Sequence, residues 1–406
     1  MIKRILRWTA YLLIFLAAFF VGISLYFAVA YSPQYVLRLL RWGNSDVGDM
    51  NRFPARAIAP SDFVRPLQEA APDPRAVALL QELTGEQDLQ DYLEGSGTFN
   101  LLILEGDTPL VEAYANGSSR EALVTSFSAA KSFGSTLIGL AIADGYIGSV
   151  DDAIGVYLPE LPARDPRFTA ITIRDLLRMS SGIRYREFPF YHGDDALTYY
   201  YPDLRWLALN HTQIEAEPGE FFLYNNYHPL LLGLILERAT GKSVAEYLEM
   251  RLWQPMGAEY PASWSLDSEQ SGFEKMESGL NARAVDFARF GLLVLQDGLW
   301  EGQQIIPSEW LQAATAEDLS LDRSSYYPPD FWETPESRLF YGYMWWGYQR
   351  APGRPDFSAL GKYGQYIYVS PQADLVFVRN GSTAALPGGE AWPHLFFEFA
   401  TRWMAP

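Results

Sequence analysis

The nine residues Thr125-Ser126-Phe127-Ser128-Ala129-Ala130-Lys131-Ser132-Phe133 (TSFSAAKSF) place one of the chain's five lysines a single helical turn after a serine. Residues three apart on a helix share a face, so the Lys131 ammonium and the Ser128 hydroxyl would lie side by side. A serine in the first turn also feels the positive end of the helix dipole, which favours alkoxide character. An unactivated hydroxyl is a weak nucleophile, and a neighbouring amine of depressed pKa is one remedy. Serine is equally a favoured helix N-cap. The pair alone therefore leaves two readings open, a helix start or a nucleophile with its base. The surroundings are unusual for a solvated lysine, since Phe127, Ala129, Ala130 and Phe133 flank it.

The rest of the chain bounds what such a pair can serve. The sequence has 406 residues, 49% hydrophobic and 20% charged, which is globular composition with length for a full core. A net charge of −18 and the lack of Lys/Arg-rich stretches argue against nucleic acid, whose phosphates need a concentrated basic face. The absence of cysteine removes disulfides, thiolate zinc sites and cysteine nucleophiles together.

At the N-terminus, Lys3, Arg4 and Arg7 precede an uncharged run from Thr9 to Tyr31. As a helix this run would reach ~35 Å, enough to cross a bilayer. Positive charge before it predicts a cytoplasmic N-terminus, with everything after Tyr31 exported. The alternative is a cleaved signal peptide, for which Ala28-Val29-Ala30 has the appearance of a cleavage site, although the apolar run exceeds a usual signal core.

Three segments are expected: 1–31, the anchor or signal; 32–75, a connecting region of poor periodicity rich in Pro and charge; and 76–406, one catalytic-size domain. Within the last, AVALLQELTGEQDLQDYLEG reads as helix. TFNLLILEG and PLVEAYANG read as a hairpin about Gly106-Asp107. Helical patterns follow to about residue 300, two of them opened by capping boxes, Thr172–Asp175 and Ser243–Glu246. Strand patterns return in GYMWWGYQR, GQYIYVSP and ADLVFVRNG, and AWPHLFFEFATRWMA reads as a closing helix. Early strands, a helical middle and late strands imply an α/β chain of the α+β type. Its antiparallel sheet would be built from both chain ends and flanked by helices, with a helical subdomain beside it.

A serine hydrolase of this type needs a second proton-handling group, commonly tyrosine with a nearby asparagine. Tyr114-Ala115-Asn116 precedes the serine and ends in Asn-Gly, so turn chemistry accounts for it. Tyr224-Asn225-Asn226 follows Pro218-Gly219 and directly precedes the apolar helix HPLLLGLILE, where side chains can face a cleft; helix capping by either asparagine is the plainer reading. Lys362-Tyr363-Gly364-Gln365 opens the strand GQYIYVSP. There a small residue would let substrate lie along the strand edge with a backbone N–H toward an oxyanion. A lysine beside a turn glycine is again the plainer reading.

Taken together, Ser-x-x-Lys, Tyr-x-Asn and Lys-x-Gly in that order resemble the serine β-lactamase and penicillin-recognising family, in particular its class C-like branch. That branch holds D-alanyl-D-alanine carboxypeptidases, β-lactamase-fold esterases and 6-aminohexanoate-dimer hydrolases. The likeness takes in VTSFSAAKSF, TIRDLLRMSSGI, PGEFFLYNNYHPLLLGLILERATGKS, ARAVDFARFGLLVL, IIPSEW and GQYIYVSPQADLVFV, most of residues 96–400.

The resemblance implies a β-lactamase/transpeptidase-like fold and an acyl-Ser128 intermediate, with Lys131 taking the serine proton. Tyr224 would shuttle protons to the leaving group and from the deacylating water. Asn226 would bind the substrate carbonyl or orient Lys131, Lys362 would add positive potential, and Gly364 would line the strand edge. The backbone N–H groups of Ser128 and Gln365 would form the oxyanion hole.

The resemblance implies no metal or organic cofactor. The N-terminal run leads to the expectation of a single-pass protein of a bacterial inner membrane with its catalytic domain outside the cytoplasm, or of a periplasmic protein after signal cleavage. The expected substrates are small esters or linear amides, with D-Ala-D-Ala peptides and β-lactams as alternatives. A different class of reading is a tethered, non-catalytic module holding cell-wall peptides. One departure bears on substrate: the middle of Lys-x-Gly, commonly a small hydroxyl residue, is Tyr363, which would narrow the cleft. No Ser-Asp-Asn and no class A glutamate base is evident.

Competing constellations fail. There is no G-x-S-x-G elbow. The histidines His192, His211, His228 and His394 are scattered, without H-E-x-x-H or H-x-H spacing. Gly241-Lys242-Ser243 lacks the upstream glycine of a phosphate loop. The aromatic cluster Tyr341, Tyr343, Trp345 and Trp346 is expected chiefly in the core.

Overall fold

Strands near residue 100 and strands near residue 370 meet in one antiparallel sheet, as the early and late β patterns require. A computed structural model of the chain describes residues 2–189, 192–318, 320–323, 327, 338–350, 353–384 and 391–405. Its main sheet has seven strands, in spatial order Thr108–Tyr114, Thr98–Glu105, Leu375–Gly381, Gln365–Ser370, Asp356–Gly361, Trp346–Tyr348 and Leu339–Tyr341. The first two form the expected hairpin about Gly106-Asp107, and the second pairs Leu102 with Val378 of the late strand.

Both faces of the central strands are covered, which explains why LLIL and LVFV carry no polar alternation. On one side Leu102, Leu104, Ile367, Val369, Val376 and Val378 join the core of the helical middle. On the other, Leu101, Ile103, Tyr366, Tyr368, Leu375 and Phe377 meet the terminal helices Pro74–Thr84 and Trp392–Trp403. Successive side chains thus serve two different cores.

Several elements differ from the periodicity reading. The pattern at 76–95 is two helices, Pro74–Thr84 and Leu89–Gly95, because Gly85 takes a left-handed C-cap and Asp88 caps a new start. GYMWWGYQR holds a turn and the short strand Trp346–Tyr348, with Met344 at positive φ. The strands Asp356–Gly361 and Ala262–Ser265 lacked a sequence signal. Both capping boxes form.

Residues 32–75, expected as a connector, carry the helix Pro33–Trp42 and the strand Ala55–Ile58. Tyr35 and Leu39 of that helix are buried. The strand opens a small second sheet, continuing through Ala262–Ser265, Leu280–Ala282 and Val124–Thr125. This sheet delivers the chain to Ser128. Before it all, Ile2–Ala30 is one helix with no buried residue, long and apolar enough to cross a membrane and equally of the kind seen in signal sequences.

Candidate active site

Leaving the strand Val124–Thr125, the backbone makes a tight 3-10 turn, Phe127–Ala129, before the helix Ala130–Ala143. Phe127 holds φ of +44°, a costly conformation for a residue with a side chain. The turn packs directly on Asp356–Gly361: a Cβ on Gly361 would lie 2.2 Å from the Ser126 carbonyl oxygen. Glycine there lets the sheet and the turn that carries Ser128 touch. Ser128 makes no helix-capping bond, so the N-cap reading does not describe it.

Lys131 lies on the first turn of the helix and is 1% exposed. Its Nζ donates to Ser128 Oγ at 2.8 Å and to the Glu277 carbonyl at 2.9 Å. Burial strips the ammonium of water and brings its pKa down to about 7, against the opposing pull of Glu277 and Asp195. A substantial neutral fraction therefore exists near pH 7, with a lone pair beside the serine hydroxyl. The Nζ also lies 4.9 Å from the centre of the Tyr224 ring.

Tyr224 stands at the loop-to-helix junction before Tyr227–Thr240. Its ring stacks on Trp346 and meets Tyr341 edge-on, with centroids 6.0 and 6.1 Å apart. Burial pushes its phenol well above the usual range, against the pull of its hydrogen bond with Ser128. The Tyr224 phenol therefore stays protonated at neutral pH. Trp345, Tyr341 and Tyr343 are core residues, while Trp346 and Tyr341 also wall the tyrosine.

Asn225 performs the plain role, donating to the Ile183 carbonyl and accepting from the Tyr227 N–H. Asn226 reaches the cleft, but its amide N–H2 is taken by Tyr185 Oη at 2.7 Å and Asp195 Oδ1 at 3.3 Å. The expected contact with Lys131 is not among its bonds. Its Oδ1 is buried without a partner, which leaves an acceptor, not a carbonyl-binding donor, on offer.

Lys362, Tyr363 and Gly364 form the hairpin turn between Asp356–Gly361 and Gln365–Ser370 rather than the start of a strand. Tyr363 and Gly364 both have positive φ, +64° and +76°. Gly364 has a structural requirement of its own: a Cβ would lie 2.1 Å from Arg379 Nη1, whose guanidinium donates to the Tyr363 and Gly364 carbonyls. Gly364 is required by the turn and by that buried arginine. The Gln365 side chain is occupied with Lys362 O, Gly381 O and Asn380.

These pieces border one cleft of about 460 Å³, lined by Ser128, Asn226, Lys362 and Tyr363 together with Glu187, Asp195 and Glu277. Glu277 was not singled out by sequence. Its carbonyl holds Lys131, and its buried carboxylate accepts from Lys275 Nζ at 2.8 Å and Ser278 Oγ at 2.9 Å. The only hint was a scarce lysine two residues away. His228 hydrogen-bonds Ser181 at 2.6 Å and is kept neutral by burial, its pKa lowered to about 3. It serves packing. Among the described residues no His/Asp/Glu group is arranged to hold a metal ion.

Comparison with known proteins agrees with this geometry. The family model described as beta-lactamase matches residues 86–391. The 6-aminohexanoate-dimer hydrolase of Paenarthrobacter ureafaciens is 27% identical over 361 residues, 84% of this chain and 85% of that one. A solved Bacillus anthracis structure, provisionally described as a 6-aminohexanoate-dimer hydrolase, superposes with a TM-score of 0.74 at 24% identity, covering 89% of this chain and 94% of that chain. A penicillin-binding protein homolog from Caulobacter crescentus shares the fold at a TM-score of 0.58 and 16% identity, covering 82% and 98%.

Proposed function

The chain belongs to the β-lactamase family of hydrolases, and on that premise we propose that it cleaves small esters or linear amides through an acyl-Ser128 intermediate. The observation that carries this is the buried Lys131 amine, 2.8 Å from the Ser128 hydroxyl and with a pKa near 7. Neutral Lys131 takes the hydroxyl proton as Oγ bonds to the carbonyl carbon. The N–H groups of Ser128 and Gln365 receive the oxyanion, one such donor being typically worth ~10²–10³ in rate. The proton returns through Lys131 and Tyr224 to the departing amine or alcohol. Water then gives up a proton along the same route, adds to the acyl carbon, and releases Ser128.

The amide preference is supported by the 6-aminohexanoate-dimer hydrolase relative. Tyr363 at the middle of the third motif, with its hydroxyl already bonded across the cleft, weighs against D-Ala-D-Ala peptides and β-lactams. A fluorophosphonate probe should label Ser128 and leave Ser128→Ala unlabelled. Turnover of p-nitrophenyl butyrate and a linear 6-aminohexanoyl amide should exceed that of a D-Ala-D-Ala peptide and nitrocefin. Absence of labelling under all conditions would promote a tethered binding module in place of an enzyme. Hydrolysis of nitrocefin alone would reverse the substrate order.

Lys3, Arg4 and Arg7 at the N-terminal end of Ile2–Ala30, ahead of its uncharged stretch, and the lack of buried positions on that helix support an anchored protein with its cleft outside the cytoplasm. Protease added to intact spheroplasts should then remove the catalytic domain while the N-terminal helix stays in the membrane fraction.

A further inference from the structure

Residues 43–53 cross the cleft. The helix Pro33–Trp42 is fixed at its root by Arg38, which donates to the Tyr200 carbonyl at 2.8 Å and the Asp267 carbonyl at 2.5 Å. The chain turns at Gly43, φ +65°, and runs over the hairpin turn. There Lys362 Nζ donates to Ser45 Oγ at 2.8 Å, and Tyr363 Oη donates to the Ser45 carbonyl at 2.5 Å. Four residues on, Asp49 is buried and accepts from Tyr199 Oη at 2.8 Å. Phe53 then packs edge-on against Trp42, with centroids 5.1 Å apart.

Tyr199 and Tyr363 both line the cleft and both pack on the Phe127 ring, with centroids 6.5 and 5.4 Å away. The segment bonds to both tyrosines, and its Asn44 and Ser45 border the cleft. This segment lies outside the residues matched by the family model, 86–391.

We propose that this strap sets the cleft's substrate selection, with Ser45 as its specificity-determining residue, by withholding Lys362 from substrates that carry an anionic extension. The inference rests on the acyl-Ser128 reading and names the substrate class within it: neutral esters and amides in preference to carboxylate-terminated ones. Among the described residues that line this cleft, Lys362 is the one that carries an ammonium group. Lys131 is buried and committed to Ser128 and Glu277, so an incoming carboxylate would have to pair with Lys362. Ser45 already takes one of the three donors of that ammonium and fixes its direction, and the backbone carrying Ser45 is held by Tyr363. The carboxylates of Glu187 and Asp195, which also line the cleft, repel an anion, while that of Glu277 is paired with Lys275. A neutral substrate meets neither barrier.

The test uses the full-length protein in detergent and two non-hydrolysable amides that differ only in a terminal carboxylate or carboxamide, with affinity measured by calorimetry. Ser45→Ala frees the Lys362 ammonium and should raise the carboxylate-over-carboxamide affinity ratio about tenfold, the value of one charged hydrogen bond. Ser45→Asp gives Lys362 a permanent anionic partner and should lower the ratio. A ratio unchanged in both variants overturns the proposal, whether or not Ser128 turns substrate over. Because the readout is binding, failure of the acyl-enzyme reading shows separately, as loss of fluorophosphonate labelling in the parent protein.

Discussion

Replacing Lys131 with methionine should abolish acylation and yet stabilise the fold in mild acid. In the unfolded chain the amine has its ordinary pKa of 10.5, and in the fold about 7. At about 1.4 kcal/mol per tenfold in proton affinity, a fully protonated Lys131 costs the native state about 5 kcal/mol. The sign follows from proton counting. Between the two pKa values the unfolded chain binds more protons than the fold, so stability rises with pH across that window. The cost is nearly whole at pH 6, about 2 kcal/mol at pH 9, and gone above 10.5. Methionine has similar length and carries no such cost.

Two hydrogen bonds are lost with the amine, to Ser128 and to the Glu277 carbonyl. Each is worth about 1 kcal/mol, and that loss does not depend on pH. The diagnostic is therefore the change in the stability difference with pH. The advantage of Lys131→Met should shrink by about 3 kcal/mol between pH 6 and pH 9. Chemical denaturation of both full-length proteins in the same detergent, followed by tryptophan fluorescence, measures it. Other titrating groups cancel between the two. A difference that stays constant over that range would sink the argument, because a lysine equally charged in both states releases no proton on folding. Fluorophosphonate labelling of the same samples should fall by about 10²–10⁴.

The pH dependence of labelling in the parent protein should rise with pH through about 7 and level off above it, since only neutral Lys131 accepts the serine proton; a rise centred near the ordinary lysine value would remove Lys131 as the base. Tyr224→Phe should lower turnover of a linear amide by about 10²–10⁴ while an activated ester suffers less, because a good leaving group needs no proton; equal loss on both would assign Tyr224 a packing role against Trp346. Gly361→Ala would place a Cβ 2.2 Å from the Ser126 carbonyl and should cost about 1–3 kcal/mol of stability with loss of Ser128 labelling. Retained labelling at full stability would show that the nucleophile turn does not depend on this contact.

What the sequence carried best were features local in the chain. Ser128 and Lys131 are three residues apart, and one helical turn is enough to bring them together. Both capping boxes and the Gly106-Asp107 hairpin are likewise decided by a few neighbouring residues. The sheet was legible because its central strands are continuous apolar runs. What was not legible depended on partners far away. Asp356–Gly361 alternates little, and it becomes a strand by pairing with Gln365–Ser370. Gly364 is required by Arg379, fifteen residues on, a demand its own neighbours in sequence do not announce. Asn226 was assigned to the substrate carbonyl without any sign that Tyr185 and Asp195 claim its donors.

The strap is the extreme case. Residues 32–75 have weak periodicity because their side chains answer to three separate surfaces. Tyr35 and Leu39 face the main core, Ala55–Ile58 pairs with Ala262–Ser265, and Ser45 meets a hairpin turn 317 residues away. A segment reading as a connector by composition is therefore the piece that links the apolar N-terminal helix to the cleft. Its contacts are polar and few at the point where it crosses, Ser45 against Lys362 and Tyr363, and apolar and many at its root. That distribution lets the crossing change its preference by one side chain without unseating the helix beneath it. The same reasoning gives Tyr363 its role: its long side chain reaches the Ser45 carbonyl while resting on Phe127. Tyr363 and Ser45 thus form one device, and a change at either should be read in the selectivity of the cleft rather than in the chemistry at Ser128.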